Sequence, residues 1–135
     1  MKILLDTNIM LWAAAGELSP EAARYIEDSA NTLLFSPASL WEVVIKRGLG
    51  RTDFIVDPTS LCSGLLSAGY QELPINGRHT LLVSTLPPLH KDPFDRILLA
   101  QAISEGIPFL TSDKFLLQYP GSVIFAGANE LSTGA

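Results

Sequence analysis

One cysteine, two histidines and nine basic residues are scarce in a chain of 135, and each scarcity removes a class of function. Cys62 cannot form an internal disulfide. Its apolar setting, Leu61-Cys62-Ser63-Gly64-Leu65-Leu66, reads as a small packed side chain, and it is given no catalytic role. Zinc would want cysteine or clustered histidine, which are missing. No window reaches the roughly eighteen apolar residues of a membrane span. The start Met1-Lys2-Ile3-Leu4-Leu5 meets Asp6 too early for a secretory leader, so a cytoplasmic location is expected. No glycine-rich turn follows the first apolar run, which disfavours a nucleotide-binding Rossmann module. Repeats, low-complexity stretches and linkers are also missing. One domain is expected over residues 1–126, with a loose tail at 127–135.

The formal charge is -5, and proteins that track phosphates usually carry a basic face. That objection weakens if carboxylates hold divalent cations, because each ion offsets two negative charges where phosphate would approach. Lys46, Arg47, Arg51, Lys91, Arg96 and Lys114 lie close in sequence to acidic positions and give a possible positive rim.

What the chain does have is 47% hydrophobic residues, enough for one core. Helix starts are marked where a capping side chain precedes a proline: Ser19-Pro20, Ser36-Pro37, Asp57-Pro58 and Asp92-Pro93. Further helices are expected over Thr7 to Ala15, stopping at Gly16, and over Arg78 to Leu86, stopping at Pro87-Pro88. Short apolar strands are expected at 2–5, 32–36, 70–74, 107–111 and 122–126. Apolar strands alternating with helices predict an α/β fold with a mainly parallel sheet of four to five strands covered on both faces.

In such a fold, strand ends and the first turns of the following helices share one rim. Asp6 and Asp113 follow predicted strands, while Glu42 and Asp95 lie early in predicted helices. Each also has a local explanation. Asp6 could cap the first helix, Glu42 could pair with Lys46, Asp92 and Asp95 could form a capping box, and Asp113 could cap a short helix from Lys114 to Gln118. Together they are harder to explain, since carboxylates about 4 Å apart repel by ~4 kcal/mol at an effective dielectric near 20. Oxygen-only ligands suit Mg²⁺, with Mn²⁺ as a substitute. Such a metal can acidify a water, orient a phosphate and stabilise the leaving oxygen.

Four segments in order carry a resemblance: Ile3-Leu4-Leu5-Asp6-Thr7-Asn8, Ser36-Pro37-Ala38-Ser39-Leu40-Trp41-Glu42, His90-Lys91-Asp92-Pro93-Phe94-Asp95-Arg96 through Ala102, and Leu110-Thr111-Ser112-Asp113. Together they resemble the motifs of PIN-domain ribonucleases, specifically VapC-type toxins, over residues 1 to about 126. The resemblance implies a three-layer α/β/α sandwich and an RNA-cleaving toxin. It also implies a cognate antitoxin partner and a homodimer. It makes Asp6, Glu42 and Asp95 the core metal ligands and Asp113 the fourth acid.

Asp92 is expected chiefly as the cap of the helix presenting Asp95. Thr111 is expected either to hold a water or phosphate or to be a plain strand-end residue, and Arg96 to meet substrate or to support structure. His90 reads as a loop residue. Trp12 and Trp41 read as core or partner-facing, with base stacking an alternative for Trp41. The main rival is a non-catalytic PIN-like module that binds RNA or a protein. An aspartyl phosphatase is disfavoured because position 8 is Asn rather than a second Asp.

Overall fold

The computed structural model describes residues 1–50 and 56–129. Arg51 and most of the tail expected at 127–135 lie outside the described residues. Five parallel strands form one sheet: β1 (Lys2–Leu5), β2 (Thr32–Phe35), β3 (Gln71–Glu72), β4 (Phe109–Thr111) and β5 (Val123–Phe125). Their order is β3-β2-β1-β4-β5, which puts β1 at the centre. The ladder of β1 continues past its end, where the Asp6 N–H donates to Leu110 O at 2.9 Å. A central strand thus carries the first acid onto the carboxyl edge.

The helices are α1 (Thr7–Ala15), α2 (Pro20–Ile26), α3 (Pro37–Gly48), α4 (Pro58–Ser67), α5 (Gly77–Val83) and α6 (Pro93–Glu105). All four starts marked by a capping residue and proline are used. Ser19, Ser36, Asp57 and Asp92 each accept a backbone N–H of the first turn, and proline fills the position whose N–H needs no partner. A short 3₁₀ helix at Lys114–Gln118 follows β4, capped by Asp113.

Strand alternation splits the core in two. Ile3, Leu5, Leu33 and Phe35 face α1, α2 and α4 through Ile9, Met10, Ala22, Leu61 and Leu65. Leu4, Leu34 and Phe109 face the opposite layer, built on Leu98, Leu99 and Ala102 of α6 with Leu82 and Val83 of α5 beside them. Each fully buried Leu, Ile or Phe contributes roughly 1.5–3 kcal/mol. The result is the expected α/β/α sandwich.

Strands β2, β4 and β5 are one or two residues shorter than their patterns predict, and β3 and α5 are also shortened. The edge strand β3 shrinks from 70–74 to Gln71–Glu72: the Tyr70 N–H turns back to Leu65 O, and Pro74 brings no N–H to the ladder. Helix α5 ends at Val83 instead of Leu86. There the N–H groups of Ser84, Thr85 and Leu86 reach only three residues back, while the Ser84 and Thr85 hydroxyls donate to Leu81 O and Leu82 O. Among the described residues, no helix is long and apolar enough to cross a membrane.

Candidate metal centre

Asp6 is the most constrained acid. It is 4% exposed and caps α1, its Oδ1 accepting from Ile9 N at 2.7 Å. Its Oδ2 accepts from Thr111 Oγ1 at 2.6 Å and from Ser112 N at 2.8 Å. The local cap and the cluster are therefore the same residue. Burial pushes its carboxyl above the ordinary range; these three bonds oppose that rise and the Glu42 charge adds to it.

Glu42, one turn into α3, accepts from Thr7 Oγ1 at 2.8 Å through Oε1 and meets Lys46 Nζ at 2.8 Å through Oε2. Asp95 sits in the first turn of α6. Burial, and then the neighbouring Asp92 and Asp6 charges, push its carboxyl up to about 7, against a lowering by His90. Asp113 caps the 3₁₀ helix by accepting from Phe115 N at 3.0 Å. Its own N–H donates to Thr111 Oγ1 at 3.0 Å.

Asp6, Glu42, Asp95 and Asp113 face one open cavity of about 280 Å³, with Asp92, His90, Lys46, Thr7 and Asn8 completing its walls. Asp92 both caps α6, accepting from Phe94 N at 2.9 Å, and lines the cavity. The donor set is carboxylate oxygen with one imidazole beside it. Burial and then the neighbouring Asp92 and Asp6 charges raise Asp95, and such oxygen donors fit a hard divalent cation. A larger, mostly apolar cavity of about 450 Å³ lies between α1 and α4, where, among the described residues, the one lining carboxylate, Asp57, is already paired with Arg47.

Thr111, Arg96 and the basic residues each have definite surroundings. Thr111 is fully buried, donating to Asp6 and accepting from Asp113 N, so it joins two acids instead of holding water or phosphate. Arg96 turns away from the cavity and donates to Val83 O and Pro87 O at 3.0 Å each. Of the possible positive rim, Lys46 pairs with Glu42 and Arg47 with Asp57. Trp12 packs against the core, whereas Trp41 is 63% exposed and meets the Phe94 ring edge-on at 5.8 Å.

His90 is the residue that sequence reasoning passed over. Its Nε2 lies 2.9 Å from Asp95 Oδ2 and 3.4 Å from Asp113 Oδ2. The one signal was its place two residues before Asp92 in the motif, on a segment too short to reveal contact with Asp113.

The PIN domain family model matches residues 3–121, nearly the whole chain. The chain belongs to the PIN domain family. No curated protein matches it. This PIN domain is similar to a chain of VapBC2 from Rickettsia felis, solved bound to a DNA fragment from its promoter, with TM-score 0.70 and 18% identity over 93% of this chain and 99% of that one. DNA-bound VapBC from Salmonella typhimurium gives TM-score 0.66 and 14% identity, covering 93% and 98%. VapC20 from Mycobacterium tuberculosis, described as a sarcin-ricin loop cleaving toxin, gives 0.56 and 16%, covering 87% and 96%. At these identities the likeness is one of fold, and it spans both chains.

Proposed function

We propose that this PIN domain is a Mg²⁺-dependent endoribonuclease, with Mn²⁺ able to substitute, acting as the toxin of a toxin–antitoxin pair. The observation that carries the reading is the convergence of Asp6, Glu42, Asp95 and Asp113, from four separate elements, on one open cavity. Asp6, Glu42 and Asp95 would hold the cation and Asp113 would complete the set. A divalent cation there supplies a Lewis acid that acidifies water and offsets phosphate charge.

The chain's own contribution is rigidity and access. Asp6 is fixed by Thr111, Ser112 and Ile9, and Glu42 is oriented by Thr7 on one oxygen and Lys46 on the other. The opening admits a phosphodiester and the water that cleaves it. Family membership and the fold shared with VapC20, a toxin described as cleaving an RNA loop, support RNA as substrate. The VapBC neighbours support an antitoxin as partner, and a homodimer in the cytoplasm completes the proposal.

The test is cleavage of structured and unstructured RNAs by purified protein with Mg²⁺, with chelator, and as Asp6→Asn. Cleavage that needs Mg²⁺ and disappears in Asp6→Asn is expected. Metal-independent cleavage, or undiminished cleavage by the variant, would overturn the mechanism. RNA binding with no cleavage of any substrate would favour the non-catalytic module.

A further inference from the structure

His90 is held far more firmly than a loop residue between two helices needs to be. Its N–H donates to Tyr119 Oη at 2.6 Å, and its carbonyl accepts from Arg96 Nη1 at 3.4 Å. The same guanidinium binds Val83 O and Pro87 O and reaches Tyr119 Oη at 3.4 Å, so one buried phenol and one cation fix the whole turn. The ring is held separately. Phe115 meets it edge-on at 5.5 Å, and the Asp92 N–H points at Nδ1 from 3.4 Å.

That last contact decides what His90 offers the cavity. A backbone N–H can only donate, so Nδ1 accepts, and the proton of the neutral ring belongs on Nε2. Nε2–H then points at Asp95 Oδ2 and lies within reach of Asp113 Oδ2. A ring in this tautomer has no lone pair on Nε2 to give a metal.

We propose that His90 is a positioning residue of the metal centre: its Nε2–H orients the Asp95 and Asp113 carboxylates before a cation arrives, and it is not itself a ligand. The role rests on the reading of the cavity as a metal centre. The Arg96–Tyr119 anchor acts one step further out by setting where His90 stands. Partners that orient metal ligands are commonly worth roughly ten- to a hundredfold in metal affinity.

Only two histidines occur in the chain, and His79 is buried between Asn76 and Glu105, so the imidazole signals can be assigned. ¹⁵N imidazole spectra of the full chain, recorded with and without Mg²⁺, should show His90 protonated at Nε2 in both. Calorimetric titration with Mn²⁺ should give affinity lowered roughly ten- to a hundredfold in His90→Leu and partly restored in His90→Gln, whose amide can donate. Loss of the Nε2 proton on adding Mg²⁺ would make His90 a ligand and overturn the proposal. Mn²⁺ binding unchanged in His90→Leu would overturn it too, while leaving the metal centre standing. A wild-type chain that binds no Mn²⁺ would remove the metal centre and this role together. The spectra need only the wild-type protein, so they decide the tautomer even if the leucine variant does not fold.

Discussion

Thr111 Oγ1 donates to Asp6 Oδ2 at 2.6 Å across 105 residues of sequence and accepts from the N–H of Asp113. One hydroxyl at the end of β4 thereby ties the acid that follows β1 to the acid that follows β4. Removing it leaves a buried carboxylate short of one donor and a partly buried N–H short of its acceptor, and unmade bonds of this kind cost more than made ones contribute.

Thr111→Val keeps the shape and deletes the hydroxyl. It should lower unfolding stability by about 1–3 kcal/mol and weaken Mn²⁺ binding by roughly tenfold. Thr111→Ser should restore most of both. Denaturant unfolding and calorimetry read the two effects, and a valine variant equal to wild type in both would refute the coupling.

The raised Asp95 carboxyl makes stability depend on pH. Its folded value is about 7 against an ordinary 3.8, so between those values the folded state holds a proton that the unfolded chain releases. Its contribution is therefore fully present at low pH and is lost as pH rises through about 7; the raised Asp6 acts in the same direction. The metal-free protein should melt several degrees lower at pH 8 than at pH 5, and Asp95→Asn should flatten that slope. Mn²⁺ must displace the proton, so its affinity should rise about tenfold per pH unit below 7 and level off above. A melting temperature that climbs from pH 5 to 8 in the absence of metal would contradict this.

Asp95→Asn should also separate stability from function. Relieved of a buried charge that Asp92 and Asp6 repel, the metal-free variant should melt higher than wild type at pH 8. Its Mg²⁺-dependent cleavage should fall by more than the roughly hundredfold lost when an outer partner is removed. A variant that is both less stable and fully active would rule out a ligand role.

Arg96 does not line the cavity and donates to the carbonyls of Val83 and Pro87, which do not line it either, so it supports structure and does not grip phosphate. Arg96→Lys cannot reach Val83 O, Pro87 O and His90 O together and should cost about 2–4 kcal/mol in unfolding free energy. The salt dependence of RNA binding should stay unchanged, because no phosphate contact is lost. A shallower salt slope in the variant would place Arg96 on the substrate.

How much of this was readable in the chain depended on the range of the interaction. The starts of α2, α3, α4 and α6 were legible because a cap and a proline act within one turn, whatever the rest of the fold does. The convergence of the acids followed from the geometry of a parallel sheet. The sheet order was not readable, nor was the shrinkage of β3, because an edge strand's length depends on what its neighbours offer. Which of the two readings holds for Thr111 and for Arg96 was not legible, since their partners, Asp6 and the 83–90 turn, meet them only after folding. His90 was hidden for the same reason: its contact with Asp113 crosses from the start of α6 to the far end of β4.

The central claim is that four scattered acids form one divalent-metal site, and calorimetric titration with Mn²⁺ at pH 8 tests it most directly. The wild-type chain should bind saturably, Asp6→Asn and Asp95→Asn should not, and Glu17→Gln, at an exposed acid outside the cavity, should bind like wild type. Absence of binding in the wild type, or equal binding in all four proteins, would contradict it.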